Sequence, residues 1–228
     1  MLAYHITTSG AAPALISVPV PEPAADEIRL SIRACGLNFA DLLMQKGTYQ
    51  DTPEAPFTLG MEVAGEVNAV GNAVTGFAVG DRVAVFGGSG GLAEQGVYEA
   101  RRAVHIPDEM SFEHAAAFLI TYGTSHVALD YRAQMQPGET LVVLGAAGGV
   151  GLTAVEIGKL MGANVIAIAR GADKLEIARA AGADHLIDAG HDDLRAAIKE
   201  LGGADVVYDP VGGDAFRAIF RACNPEAR

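Results

Sequence analysis

The segment TLVVLGAAGGVG, residues 140–151, decides the fold of the second half of this 228-residue chain. It begins as a run of leucine and β-branched residues that is typical of a buried strand, and it ends in glycines that open a helical pattern. Against the dinucleotide-binding pattern G-x-G-x-x-G, it places Ala146, Gly148 and Gly151 at the three key positions. The second position lets the backbone approach a pyrophosphate, and the third lets the helix pack closely on the strand. We therefore predict a phosphate-binding turn at a helix N-terminus.

After this turn, apolar strands alternate with helical patterns. The predicted strands lie at residues 140–144, 164–169, 185–188 and 205–209. Such alternation is typical of a parallel sheet that is covered by helices on both faces. We therefore predict an α/β, doubly wound Rossmann domain over residues 111–228, with Ser111 as the N-cap of its first helix. The four strands are fewer than the order 3-2-1-4-5-6 requires, so this domain is expected to be partial.

Residues 1–110 follow a two-residue period instead. In EIRLSIR, the apolar Ile28, Leu30 and Ile32 alternate with polar residues, which predicts a strand with one buried face. Further short strands are predicted at EVAGEV, DRVAVF and GVYEARRAVHI, which are separated by glycine-containing turns. This half of the chain is therefore predicted to be a small β-domain.

Composition and charge argue against several classes of function. The formal net charge is −12, and an acidic surface repels phosphate backbones, so we expect no nucleic-acid partner. No uninterrupted apolar run reaches the length of a membrane span, and the start of the sequence lacks the pattern of a secretory signal. The two cysteines, Cys35 and Cys223, are far apart, which suits a reducing compartment. We expect a cytoplasmic protein with no membrane partner.

Arg170 indicates which dinucleotide the turn would bind. It lies nineteen residues beyond Gly151, near the point where NAD-binding proteins carry an acid that bonds the ribose 2′-hydroxyl. An acid would repel a 2′-phosphate, whereas an arginine binds it through charge-assisted hydrogen bonds. Lys174, one helical turn further on, would add a second cation near the same phosphate. The predicted cofactor is NADPH, and the alternative is that either residue is an ordinary solvated charge.

Five motifs in order carry a resemblance to a known superfamily. They are GLNFAD (36–41), GMEVAGEV (60–67), AAGGVG (146–151), AGADH (181–185) and YDPVGG (208–213). With them the chain resembles the medium-chain dehydrogenase/reductase superfamily, and it is most similar to the zinc-free, zeta-crystallin-like quinone oxidoreductases. The resemblance implies a GroES-like β-domain at residues 1–110 and a Rossmann domain at residues 111–228, with the active site in the cleft between them. It also implies a chain that continues beyond residue 228 and forms a homodimer when full length.

The resemblance also shows where zinc-dependent relatives hold their metal. At these places the present chain carries Asn38, Met61 and, near the third thiol position, Ile120. Zinc takes nitrogen, sulfur or oxygen ligands, and neither methionine nor isoleucine is a convincing one. We therefore expect no metal.

Without a metal, the expected chemistry is hydride transfer from NADPH to a small molecule that is already electrophilic, a quinone or an α,β-unsaturated carbonyl (an enone). By resemblance, Asn38 and Tyr49 are the candidate catalytic residues, and both lie on the loop GLNFADLLMQKGTYQ, which Asp41 is expected to fix. The alternative is that Asn38 only forms a turn and that Tyr49 is only a packed aromatic residue. The implied cofactor-binding residues are Asn38, Thr124, Ala146, Ala147, Gly148, Gly149, Val150, Gly151, Arg170 and Lys174. Two alternatives stay open, a short-chain enoyl-CoA reductase and a protein that binds NADPH without catalysis.

Overall fold

The computed structural model describes the whole chain, residues 1–228, which divides into two compact units, Met1–Ile120 and Thr121–Arg228. The sequence suggested a division after residue 110. The later division reflects the short helix Phe112–Ala116, which packs against strands of the first unit. The prediction that Ser111 is the N-cap of this helix is confirmed, because its Oγ accepts a hydrogen bond from His114 N at 3.2 Å.

Two antiparallel sheets build the first unit. The smaller contains β1 (Leu2–Ile6), β2 (Ala14–Ser17) and β4 (Phe57–Thr58), in the order β2-β1-β4. The larger contains β3 (Glu27–Gly36), β5 (Glu62–Val70), β6 (Arg82–Phe86), β7 (Gln95–Glu99) and β8 (Ala103–His105). Its order is β7-β3-β5-β6-β8.

Strand β3 follows the predicted alternation at its start and then departs from it. Ile28 and Leu30 are fully buried, whereas Ile32 is only partly buried. The pairing of β3 with β5 shifts register after Arg29 and again after Ile32. The first shift leaves Asn68 of β5 as the extra residue, and the second leaves Arg33 of β3, which changes the face on which the following side chains of β3 lie. A strict two-residue period therefore describes only part of this strand.

The expectation of one strand over GVYEARRAVHI was wrong. A 3₁₀ turn at Ala100–Arg102 separates β7 from β8. The two strands lie at opposite edges of the larger sheet, so a single straight strand could not make both pairings.

The segment GLNFADLLMQKGTYQ was expected to be a loop, but it contains helix α1, Phe39–Gln45. The helix begins after Asn38, whose backbone N–H donates to Asp41 Oδ2 at 2.9 Å. A carboxylate in the first turn suits the positive end of a helix. The helix Phe112–Ala116 is α2.

The second unit contains the predicted parallel sheet. Its strands are β9 (Thr140–Leu144), β10 (Asn164–Ala169), β11 (His185–Asp188) and β12 (Val206–Tyr208). Their order is β11-β10-β9-β12, which is the order 3-2-1-4 counted within the domain. The prediction of a doubly wound sheet with four strands is confirmed.

Helices cover this sheet on both faces. They are α3 (Thr121–His126), which continues as a π-helical turn Val127–Arg132, α4 (Gly149–Leu160), α5 (Ala172–Ala180), α6 (Leu194–Glu200) and α7 (Gly213–Phe220). Leu141 and Val143 of β9 pack into the core that contains α4, whereas Val142 and Leu144 pack into the core that contains α6 and α7. The strands are apolar on both faces for this reason. No helix is both long and apolar enough to cross a bilayer.

Gly151 is the point where α4 approaches the end of β9 most closely. A Cβ atom at this position would lie 2.2 Å from the carbonyl oxygen of Gly145, which is backbone and cannot rotate away. Close packing by itself is therefore enough to require glycine at the third position of the dinucleotide-binding pattern.

We expect Gly151→Ala to lower the free energy of unfolding by about 2 kcal/mol, because the added methyl group forces helix and turn apart. The matched control is Gly123→Ala in α3, where a Cβ would meet nothing within 4 Å. That change should be neutral or stabilising by up to about 1 kcal/mol. Urea unfolding of both variants tests this, and equal stability of Gly151→Ala and the natural protein would contradict it.

Candidate functional site

Asn38 lies between strand β3 and helix α1, and Asp41 fixes its backbone. Asp41 is buried, and its Oδ2 accepts the Asn38 N–H at 2.9 Å while its Oδ1 accepts the Gly60 N–H at 3.1 Å. The carboxylate thereby ties the start of α1 to the turn before Met61. The loop-fixing role predicted for Asp41 is confirmed.

Glu62 links the Asn38 side chain to the end of the first unit. Its side chain is only 1% exposed. Oε1 accepts a hydrogen bond from Asn38 Nδ2 at 3.0 Å, and Oε2 accepts one from Ile120 N at 3.0 Å. We call Asn38, Asp41, Glu62 and the backbone N–H of Ile120 the Glu62 network. Sequence reasoning assigned Glu62 no role, although an acid within the apolar run Met61–Ala64 was a visible signal.

Burial is the largest influence on the pKa values of Glu62 and Cys35. It raises the pKa of Glu62 above its ordinary value, although the hydrogen bonds from Asn38 and Ile120 act in the opposite direction. Burial also raises the pKa of Cys35 to about 12, with smaller contributions from the charges of Asp41 and Glu62. The Cys35 thiol therefore stays protonated near neutral pH, which fits the prediction that it is a packed residue and not a nucleophile.

Tyr49 follows helix α1 and is half-buried. It packs against an apolar cluster formed by Ile6, Met44, Phe57, Leu59 and Met61. Asn38 bonds Glu62, the neighbour of Met61 in the chain. Tyr49 thus packs against the cluster that contains Met61, and Asn38 bonds the residue that follows Met61 in the chain.

The residues at the positions where the resemblance places zinc ligands do not fit a zinc ion. The Asn38 amide nitrogen already donates to Glu62, and Met61 is buried in the apolar cluster. Ile120 offers only a hydrocarbon side chain, which packs against that same cluster. No group of three or more His, Cys, Asp or Glu side chains in the chain is arranged to hold a metal ion.

The glycine-rich turn of the second unit presents an uncapped helix end. Gly148 is the N-cap of α4, no side chain caps the helix, and no acid lies in its first turn. Of the predicted cofactor residues in the turn, Ala146 is buried, Ala147, Val150 and Gly151 are partly or fully buried, and Gly148 and Gly149 are exposed. A helix N-terminus of this kind favours an anion.

Arg170 lies beside this turn. Ala146 N donates to the carbonyl of Ile168 at 3.1 Å, so the turn is joined to the strand that Arg170 follows. Arg170 and Lys174 are both exposed, and neither takes part in an ion pair. Gly171 between them has a φ of +84° and is the N-cap of α5. Arg170 therefore precedes a second helix N-terminus at the carboxyl edge of the sheet, and the first turn of that helix carries both Asp173 and Lys174.

Asp188, which sequence reasoning missed, holds this corner in place. Its Oδ1 accepts hydrogen bonds from Gly171 N at 3.3 Å and from Gly190 N at 2.8 Å. These bonds, with the partner His191, lower the pKa of Asp188. Asp188 pairs with Ala169 in the parallel register, so its place at the end of the neighbouring strand was the available signal.

Thr124 is exposed on α3, and its neighbour Ser125 anchors that helix. Ser125 is fully buried, and its Oγ donates to the carbonyl of Val150 at 2.8 Å and bonds the Thr153 hydroxyl at 2.8 Å. The position of Thr124 is therefore set relative to the first turn of α4.

We expect the free energy of unfolding to depend on pH through Glu62. Because the native pKa is raised above the ordinary value of 4.5, the folded state binds more protons than the unfolded state between the two values. This contribution stabilises the protein below that window and is lost as pH rises through the native pKa. Glu62→Gln should remove this part of the pH dependence in urea unfolding curves. Glu66→Gln, on the same strand but half-exposed, is the control, and equal slopes in all three proteins would contradict the expectation.

Two family descriptions match the chain. Residues 24–108 match the alcohol dehydrogenase GroES-like domain, and residues 149–228 match the family described as zinc-binding dehydrogenase. The matches confirm the predicted pairing of a GroES-like domain with a Rossmann-type domain.

Proteins described as quinone oxidoreductases are similar to this chain in sequence and in structure. The quinone oxidoreductase-like protein 2 homolog of Nematostella vectensis is 42% identical over 200 residues, which cover 86% of this chain and 54% of that protein. This chain thus spans about half the length of that relative. The quinone oxidoreductase of Pseudomonas syringae pv. Tomato aligns with a TM-score of 0.92 and 34% identity, over 98% of this chain and 70% of that chain. The quinone oxidoreductase of Escherichia coli, solved in complex with NADPH, aligns with a TM-score of 0.88 and 31% identity, over 98% of this chain and 69% of that chain. The chain therefore belongs to the quinone oxidoreductase family of the medium-chain dehydrogenase/reductase superfamily.

Proposed function

We propose that the full natural protein is an NADPH-dependent reductase of quinones or α,β-unsaturated carbonyls that works without zinc. The relatives named above support the reaction class, and the solved NADPH complex of the Escherichia coli enzyme supports the cofactor. The proposed compartment is the cytoplasm, because both cysteines are free thiols.

The observation that carries the cofactor proposal is the corner formed by the uncapped turn and Arg170. The chain has 28 acidic and 16 basic residues, so acidic side chains that could pair with an arginine are in excess. Arg170 instead stays unpaired beside a helix end that favours anions. We propose that the backbone of residues 146–151 binds the pyrophosphate and that Arg170, with Lys174, binds the 2′-phosphate.

The proposed chemistry uses the first unit for the acceptor. When bound, NADPH supplies the hydride. The Asn38 side-chain amide donates a hydrogen bond to the acceptor oxygen that gains negative charge, and the Tyr49 hydroxyl donates a second. The apolar surroundings of Tyr49 and Met61 keep this region dry, which strengthens both hydrogen bonds. Asn38 and Thr124 also contact the cofactor in this proposal.

Arg170→Asp should weaken NADPH binding by roughly 100-fold and leave NADH binding within about threefold, because it replaces a charge-assisted bond to the 2′-phosphate by repulsion. Isothermal titration with each nucleotide measures the two affinities. Arg179→Asp makes the same change of charge at the other end of α5, where the arginine pairs with Glu176, and should leave both affinities near those of the natural protein. Equal losses for NADPH and NADH in Arg170→Asp would show that Arg170 does not bind the 2′-phosphate.

Stopped-flow loss of NADPH absorbance with 1,4-benzoquinone tests the reaction itself. We expect turnover by the natural protein, and Tyr49→Phe should lower kcat by about tenfold because it removes one hydrogen-bond donor and keeps the ring. Tyr131→Phe is the control, since this exposed tyrosine lies in the second unit and has no proposed role.

The acceptor panel separates the alternatives. Turnover with short-chain enoyl-CoA esters in preference to quinones and simple enones would favour an enoyl-CoA reductase. Tight NADPH binding without turnover of any acceptor would favour a non-catalytic binding protein and contradict the proposed reaction.

A further inference from the structure

We propose that Glu62 is a positioning residue for the reduction, because its buried carboxylate orients the Asn38 side-chain amide so that one N–H remains for the acceptor oxygen. This inference rests on the proposed function, since it assigns a partner to the amide that is proposed to bind the acceptor. Three observations carry it: the hydrogen bonds of Glu62, the space made for its side chain, and its burial.

The hydrogen bonds select one orientation of the Asn38 amide. An asparagine side chain can turn either its nitrogen or its oxygen toward a neighbour, but a carboxylate only accepts. Glu62 Oε1 accepts from Asn38 Nδ2 at 3.0 Å, so the nitrogen faces Glu62 and its second N–H is left over. Asp41 meanwhile holds the Asn38 backbone N–H at 2.9 Å. Two carboxylates thus fix the backbone and the side chain of the same residue.

The opposing strand leaves room for this arrangement. Gly36 pairs with Glu62 across strands β3 and β5. A Cβ atom on Gly36 would lie 2.6 Å from Glu62 Oε1 and 2.3 Å from the carbonyl oxygen of Ala116. The carboxylate occupies the space that a side chain on Gly36 would fill, two residues before Asn38 in the chain.

Stability alone does not account for a carboxylate at this place. Burial of a charged group is unfavourable, and an apolar side chain of similar size would avoid that penalty. Glu62 is only 1% exposed and has no cationic partner, since its hydrogen-bond donors are the Asn38 amide and the backbone N–H groups of Ile120 and Leu119. What the carboxylate adds over an apolar side chain is a pure acceptor for Asn38.

The variant Glu62→Gln tests orientation with almost no change of shape. Ile120 N is a donor, so the introduced glutamine must offer its oxygen there and turn its NH₂ group toward Asn38. The Asn38 amide then has to rotate and present its oxygen to that NH₂ group. This rotation moves the Asn38 N–H group away from the acceptor oxygen. The volume of the side chain at position 62 and the course of the backbone stay almost the same.

Steady-state kinetics with NADPH and 1,4-benzoquinone measure the effect in the full natural chain. We expect Glu62→Gln to lower kcat by about 30-fold, with the Kd for NADPH changed less than about twofold. Asn38→Ala should lower kcat by at least the same factor. The double variant should have the same kcat as Asn38→Ala alone, because Glu62 acts through Asn38. Glu66→Gln, which removes a half-exposed carboxylate from the same strand, is the matched control and should keep the natural kcat.

The kcat values of the variants show whether the positioning role of Glu62 fails alone or together with the proposed function. A slow Asn38→Ala enzyme together with a fully active Glu62→Gln enzyme would overturn the inference and leave the proposed function intact. Additive losses in the double variant would also overturn it, because they indicate a general structural role. Full activity of Asn38→Ala, or no turnover by the natural protein, would overturn both.

A spectroscopic readout keeps the test independent of whether the variant folds. In the natural protein with ¹⁵N-labelled asparagine, one Asn38 side-chain proton should resonate downfield and exchange slowly, as expected for a hydrogen bond to a carboxylate. The signal is assigned by its loss in Asn38→Ala. Side-chain resonances like those of a free amide would overturn the inference even if Glu62→Gln does not fold.

Discussion

Strand β9 and helix α4 are separated only by the glycine-rich turn, and the backbone at Gly151 lies so close to the carbonyl of Gly145 that there is no room for a side chain. This contact keeps the uncapped end of α4 at the carboxyl edge of the sheet, next to the corner that carries Arg170. Strands β9 and β10 are buried on both faces, so neither can slip by one residue without moving its side chains between two separate cores. The position of the phosphate-binding corner therefore depends on the packing beneath it.

Charge is used in opposite ways in the two units. In the first, Glu62 is buried, and neutral N–H donors from Asn38, Ile120 and Leu119 satisfy it. Burial makes its ionisation harder, and the hydrogen bonds limit that effect. In the second, Arg170 is exposed and unpaired in a chain of net charge −12. A buried carboxylate suits the orientation of another side chain, whereas an exposed guanidinium suits an anionic ligand.

The positions at which the resemblance places zinc ligands take part in a hydrogen-bonded network and an apolar cluster in this chain. Asn38 and the backbone of Ile120 converge on the two oxygens of Glu62, while Met61 turns to the apolar cluster that also receives Tyr49. An amide held by a carboxylate is a fixed donor and not a Lewis acid, which suits an acceptor that needs orientation more than activation. The network and the cofactor corner are thus the parts on which the proposed reduction depends.

The sequence by itself determined the four strands of the parallel sheet, the place of the glycine-rich turn and the position of Arg170 relative to it. These depend on features that are local in the chain: apolar runs, glycine spacing, and a count of nineteen residues from Gly151. It did not show the bulges between β3 and β5 or the separation of β7 from β8, because pairing across the sheet decides them. Helix α1 was missed as well, although its capping contact between Asn38 and Asp41 is local in the chain. Only the tertiary structure decided the role of Glu62, since its partners lie 24 and 58 residues away and no local pattern connects them.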